Sequence, residues 1–500
     1  MKTLTQLLAA FFLFLAVACT TDQKEEAAKV SKFNEPYRPQ FHFTPATNWM
    51  NDPHGMVYYD GEYHLFYQHH PEGNTWGPMH WGHAISTDLV YWEHMPIALE
   101  PDSLGTIFSG SAVMDLENTS GLGTAEAPAM VAIYTYHDAA GADAGRDDFQ
   151  TQGIAYSIDK GRTWTKFEGN PVLKNPGIRD FRDPKVAWVE TASGPGKWIM
   201  TLAVKDKISF YSSPNLLDWT FESDFNPEWA AYGGVWECPD LFTLTTAEGE
   251  EKWVLFVSIN PGGPNSGSAT QYFIGDFDGG NFTVESSEVK WLDYGTDNYA
   301  GVTWSNVPDS DGRRLFIGWM SNWNYANIVP TEVWRSAMTL PRSLHLVKKE
   351  NDFLVASKPI GELEKIRSSS QSFSENVFTL SEELVELELQ PKEVDFSVEF
   401  SNDSGEILLV SKVGNQLSVD RSRSGETDFW DGFGTVHHAP IAAAKADKVH
   451  IFLDRSSIEV FINDGETVMT EIIFPTKPYT ELKLTGFGEN NTLYYLESIW

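Results

Sequence analysis

Five hundred residues give room for two or three domains and an ample core. A formal net charge of −34 argues against a nucleic-acid partner, whose phosphates need clustered Lys and Arg, and favours a neutral over a polyanionic substrate. Eighteen Trp, 18 Tyr, 31 Phe and 39 Gly, with few segments of helical period, favour an all-β chain rich in turns.

The chain begins with a targeting segment over residues 1–19. Lys2 supplies a short basic start, and Leu7 to Val17 is apolar but too short for a stable spanning helix. Its end, "AVAC", resembles a bacterial lipoprotein signal in which Cys19 is lipidated and becomes the mature N-terminus, although Ala16 stands where leucine is usual. Residues 20–37 then read as a polar tether. The expected location is therefore outside the cytoplasm, on the bacterial outer membrane, with the lipid as the only membrane contact. With Cys19 lipidated, Cys238 has no partner for an intrachain disulfide.

From residue 38 a plan recurs. "STDLVYW" (Ser86 to Trp92), "SIDKGRTW" (Ser157 to Trp164) and "SSPNLLDW" (Ser212 to Trp219) each place Asp or Asn two residues after a serine, then a tryptophan. "GDFDGGNF" (Gly275 to Phe282) is a weaker fourth copy. The aromatic ends stand about 60 residues apart, with strand-like runs such as "KWIMTLAV" and "KWVLFVSI" between them. Units of four short strands ending in an Asx turn and a buried aromatic are propeller blades, and residues 38–347 hold five of them. Residues 348–359 are charged and read as a linker, and "GELEKIR" as a short helix. Residues 360–500 alternate without the blade turns and read as an antiparallel β-sandwich. Within it, "DRSSIEVFINDGE" is a strand, a tight Asn-Asp-Gly turn and a return strand.

Propeller sites form where inner strands converge at one end of the channel. Three acids occupy Trp, Phe and Pro settings at blade-like intervals: Asp52 in "NWMNDPHG", Asp183 in "FRDPKVAW" and Glu237 in "VWECPDLF". An isolated Asn-Asp-Pro run is usually only a turn. Three such acids, each at the head of a strand, point to chemistry. The histidines of "QHHPEGNTWGPMHWGHA" lack cysteine partners and zinc-like spacing, so no metal is expected. Nor does a phosphate loop or nucleotide fingerprint suggest a cofactor.

These motifs resemble glycoside hydrolase family 32, which includes invertases, inulinases and levanases. "WMNDPHG", "FRDP" and "ECPD" match its three acid motifs; "LFYQ", "NTWGPMHWGHA", "FSGS", "WRSAMTLPRSL" and "DRSSIEVFINDGE" also match. The resemblance extends from Gln40 to near the C-terminus, with His54 standing where the family usually has Asn. It implies a five-bladed propeller followed by a C-terminal β-sandwich. It further implies retaining hydrolysis of β-fructosides, with Asp52 as nucleophile, Glu237 as acid/base, Asp183 on fructose hydroxyls and Arg182 as counter-charge. Asn51, Gln68, Trp76, Phe108 and Ser109 are the implied sugar contacts, and Cys238 a neighbour of Glu237. Levan, inulin, their oligosaccharides or sucrose are the expected substrates, with exo action favoured. Endo action, transfer to a sugar acceptor and a non-catalytic fructan-binding role are the alternatives.

Overall fold

The computed structural model describes residues 33–500, except 192–193, 351, 375 and 442–445. Cys19 and the signal segment lie outside the described residues. Five antiparallel sheets of four or five strands follow one another and make the propeller. Their inner strands are Asn48–Tyr59, Thr106–Asp115, Phe181–Thr191, Val235–Thr245 and Tyr299–Thr303. Each touches the next, and the fifth touches the first, closing the ring. The strand Trp334–Arg335 lies parallel to Asn48 and Trp49, so chain from the fifth sheet's long excursion completes the first sheet.

The recurring serine–Asx plan marks the same corner in successive blades, between the third and fourth strands. Ser86 Oγ accepts from the backbone N–H groups of Asp88 and Leu89, and Asp88 Oδ1 from those of Val90 and Tyr91. Ser157 with Asp159, and Ser213 with Asn215, repeat the device. In the fourth blade Asp278 works alone on Gly280 and Asn281. These side chains satisfy backbone donors that the turning chain would otherwise leave unpaired.

Two expected boundaries move. Residues 348–359 are not a linker: Phe353–Pro359 pairs along Arg342–Lys348 as the outer strand of the fifth blade. The charges that suggested a boundary sit at the hairpin end (Lys349, Glu350, Asp352), while Phe353, Val355 and Ala356 are buried. The end of the expected tether is also folded: Phe33 stacks on Trp500 at 4.1 Å, and Tyr37 donates to Glu426 at 3.0 Å.

After a short 3-10 helix, Gly361–Ile366, the chain forms two six-stranded sheets packed face to face. Leu387, Ile451 and Val460 from one meet Val398, Val410 and Leu484 from the other. The expected Asn-Asp-Gly turn joins Ser457–Ile462 to Thr467–Ile472, with Asn463 and Asp464 both left-handed (φ 51 and 58). The first sheet's outer face carries Phe452, Phe461 and Val468, which bury Leu65, Trp304, Leu315 and Leu340 of the propeller. A charged knot crosses the same interface. Glu459 meets Arg342 at 2.5 Å and His42 at 2.9 Å, Arg342 meets Asp293 at 3.0 Å, and His42 meets Asp454 at 2.8 Å.

Candidate active site

Every inner strand is irregular near its head. Register shifts fall at Asn51/Pro53, Ile107/Gly110, Arg182/Lys185, Glu237/Asp240 and Tyr299/Val302. A bulge puts two residues where the pleat allows one, and so re-aims side chains that would otherwise alternate away. Asp183, Cys238 and Ala300 take left-handed φ values of 59, 43 and 53 at these bulges. Five blades thereby direct side chains into one channel mouth.

The mouth is a pocket of about 320 Å³, whose lining includes Asn51, Asp52, Gln68, Trp76, Phe108, Ser109, Arg182, Asp183 and Glu237. All nine residues expected at the catalytic and sugar-binding positions therefore meet in one place. Asp52 is held at both oxygens: Asn51 Nδ2 donates to Oδ1 at 2.9 Å, and Ser109 Oγ to Oδ2 at 2.7 Å. Trp49 Nε1 donates to Asn51 Oδ1 at 2.7 Å, which orients that amide. Burial raises Asp52, as does the charge of Glu237, while the Asn51 and Ser109 hydrogen bonds oppose the rise.

Glu237 also uses both oxygens. Arg182 Nη2 donates to Oε1 at 2.9 Å, and the Tyr299 hydroxyl donates to Oε2. Arg182 is stretched among acids, 2.6 Å from Asp180 and 3.7 Å from Asp183. Burial pushes Asp183 up to about 7; Arg182 opposes this, and the charges of Glu237 and Asp52 add to it. Buried beside the charges of Glu237 and Asp52, Asp183 holds a proton part of the time near neutrality. The backbone N–H of Cys238 donates to Asp183 Oδ2 at 3.3 Å, and its Sγ lies 3.5 Å from Asp52 Oδ2. Burial and the surrounding carboxylates hold that sulfur as a thiol.

Gln68 Nε2 donates to the carbonyl of Ile107 at 3.1 Å and faces His54 Nε2 at 3.0 Å. Burial keeps His54 neutral, so its Nε2 is the acceptor. The amide's two hydrogens are then engaged, and Gln68 Oε1 is left as its acceptor facing the pocket. Trp76 is 46% exposed on the rim and meets Phe108 edge-on, with ring centres 6.2 Å apart. The neighbouring histidines serve local structure: His69 pairs with the Trp49 carbonyl, His70 with that of Thr75, and His64 with His83.

The chain matches the glycosyl hydrolases family 32 N-terminal domain over residues 42–358 and the family 32 C-terminal domain over 362–499. It belongs to glycoside hydrolase family 32. A levanase of Bacillus subtilis is 47% identical over 526 residues, spanning 100% of this chain and 76% of the levanase. The exo-inulinase structure from Aspergillus awamori aligns with a TM-score of 0.84 at 37% identity, covering 94% of this chain and 100% of that one. A β-fructofuranosidase from Schwanniomyces occidentalis, solved with fructosyl-erythritol, aligns at 0.83 and 30% identity, covering 93% and 99%.

Sequence reasoning missed several residues of this family 32 pocket. Tyr299 stands just before the bulge of the fifth inner strand, one residue ahead of left-handed Ala300, as Glu237 stands one residue ahead of left-handed Cys238 in the fourth. Equivalence of blade registers was the signal that could have found it. His137 ends the second strand of the second blade, and Asp180, Phe149 and Trp323 come from connections whose path no motif specifies.

The acids set a stability prediction. In the unfolded chain Asp183 titrates near 3.8, and in the native pocket near 7. The native state therefore binds more protons between those values, and the group's contribution to stability falls as pH rises through that window. Asp183→Asn removes this loss. Its melting temperature should match wild type near pH 4, exceed it increasingly as pH rises toward 7, and keep a constant margin above that. Calorimetry of both proteins across pH checks this; a gap independent of pH contradicts it.

Proposed function

We propose that the chain is an exo-acting β-fructosidase that releases fructose from levan- or inulin-type fructans and related oligosaccharides by double displacement. The observation that carries this reading is the pairing of Asp52, fixed by Asn51 and Ser109, with Glu237 across one closed mouth. Breaking a fructosidic bond builds positive charge on the anomeric carbon and negative charge on the departing oxygen. Asp52 attacks that carbon and forms a fructosyl ester. Glu237, as the acid, gives a proton to the leaving oxygen. It then takes a proton from the water that cleaves the ester. Asp183 accepts from fructose hydroxyls and strengthens that contact as ring charge develops. Arg182 keeps the acids together, and Trp76 offers its ring to the sugar's C–H face.

The levanase and exo-inulinase relatives support the substrate class. Chromatography of early products from levan and inulin tests exo action: free fructose alone is expected, and a ladder of oligosaccharides from the outset refutes it. The mechanism also fixes stereochemistry, since two displacements at one carbon retain its configuration. NMR of a fresh digest should show β-fructose before mutarotation; initial α-fructose would exclude the ester. For the N-terminus we propose export and anchoring through lipid on Cys19. Cys19→Ala should move activity from the membrane fraction to the soluble fraction.

A further inference from the structure

The channel has a second mouth, where the same inner strands end. It opens into a cavity of about 320 Å³, as large as the catalytic pocket, lined by Lys185, Trp188, Asp240, Phe242, Trp253 and Arg314 among others. Asp240 and Lys185 belong to the channel wall here. Lys185 Nζ donates to the Thr303 carbonyl at 2.6 Å and lies 3.2 Å from Asp240 Oδ2. The same Oδ2 accepts from Thr303 N at 2.6 Å and Thr303 Oγ1 at 2.8 Å. Asp240 Oδ1, equally buried, has no partner among the described residues.

Arg314 is the second unspent group. Its guanidinium lies 5.3 Å from the centre of the Phe242 ring, and among the described residues no acceptor is hydrogen-bonded to it. Trp188 is the third. Its indole is 41% exposed yet firmly placed: Nε1 donates to Glu190 at 2.7 Å, the ring meets Trp198 edge-on at 5.2 Å, and it lies over Gly196. A Cβ on Gly196 would come within 2.5 Å of that ring, so the glycine is what lets the indole lie there. An exposed aromatic fixed in this way costs little ordering entropy when a ligand stacks on it.

These groups ask for one ligand chemistry. A purely apolar occupant would cover the Arg314 guanidinium and Asp240 Oδ1 without giving either a hydrogen-bond partner, which is unfavourable. A free anion would suit Arg314 but would meet Asp240 and a chain of net charge −34. A neutral polyol accepts from Arg314, donates toward the carboxylate directly or through water, and lays a C–H face on the indole. We propose that the far mouth is a non-catalytic binding site for a neutral mono- or disaccharide. This inference stands apart from the catalytic reading, because none of its residues touches the pocket of the acids.

Calorimetric titration of the full chain with fructose tests it, alongside Trp188→Ala and Arg314→Gln. Both side chains are partly exposed, and neither holds the fold together. One class of fructose site in wild type should weaken roughly tenfold or more in each variant, the effect of losing one stacked or charged contact. Trp188→Phe should restore most of it, and kcat/KM on sucrose should stay at the wild-type value in all three. Titrations of both variants that match wild type throughout, with only the fructose binding of the catalytic pocket in all of them, overturn the proposal. So does inorganic phosphate displacing the sugar from the variant-sensitive site, which would make it an anion site.

Discussion

Asp52→Ala and Glu237→Ala should each lower fructan turnover by about 10⁴-fold or more, while the protein keeps its fold. The two losses differ in kind. Without Asp52 no ester forms on any substrate, because the alanine offers no atom to the anomeric carbon. Without Glu237 the nucleophile remains, still held by Asn51 and Ser109. A fructoside with a leaving group that needs no proton should then acylate at a measurable rate, and its ester should accumulate because no base activates water. Mass spectrometry of Glu237→Ala with such a substrate should show the adduct; Asp52→Ala should show none. Wild-type turnover by either variant would remove its residue from the proposed mechanism. Folding is expected to survive because neither side chain belongs to an apolar core, and the apolar floor of Trp49, Met79 and Trp319 lies beneath them.

Much of this was legible in the chain because local rules coincide with the fold. The serine–Asx turns repeat since each blade must reverse at the same corner, so their spacing counted the blades. The acids stood out because each heads an inner strand, where a bulge needs Pro, Gly or a left-handed residue nearby and leaves a readable motif. What was illegible comes from pairings distant in sequence. The outer strand of the fifth blade, Phe353–Pro359, looked like a linker because its hairpin end is charged and its partner strand follows a long excursion. Tyr299 donates to Glu237 from 62 positions away, and only the equivalence of blade registers, not its neighbouring residues, marks it as more than a strand residue. The His54–Gln68 pair was equally hidden: the sequence shows a histidine where Asn is usual, but only the structure shows it accepting from the amide that orients Gln68.

The propeller and sandwich are held together by charge as well as by apolar surface, and Glu459→Ala should reveal how strongly. Glu459 is fully buried and serves three donors: Arg342 at 2.5 Å, His42 at 2.9 Å and the Leu340 N–H at 2.7 Å. Removing it leaves an arginine and an imidazolium buried beside Asp293 and Asp454 but short of one negative charge. Breaking a buried pair from one side costs about 3–5 kcal/mol, more than either ion pair would contribute against an apolar substitute. The melting temperature should fall by roughly 3–5 °C, with kcat/KM at room temperature unchanged because the knot lies outside the pocket. The variant should also lose a pH signature. Burial opposes the charge on His42, yet Asp454 and Glu459 hold its pKa at about 9 against an ordinary 6.5. In wild type that stabilisation is complete below 6.5 and is lost as pH rises through 9. Glu459→Ala should therefore lie furthest below wild type at pH 6 and approach it near pH 10. A variant that melts within a degree of wild type at pH 6 would show that Glu459 adds nothing to the other contacts between the two domains, such as Arg421 with Asp297 and the apolar packing of Phe452, Phe461 and Val468.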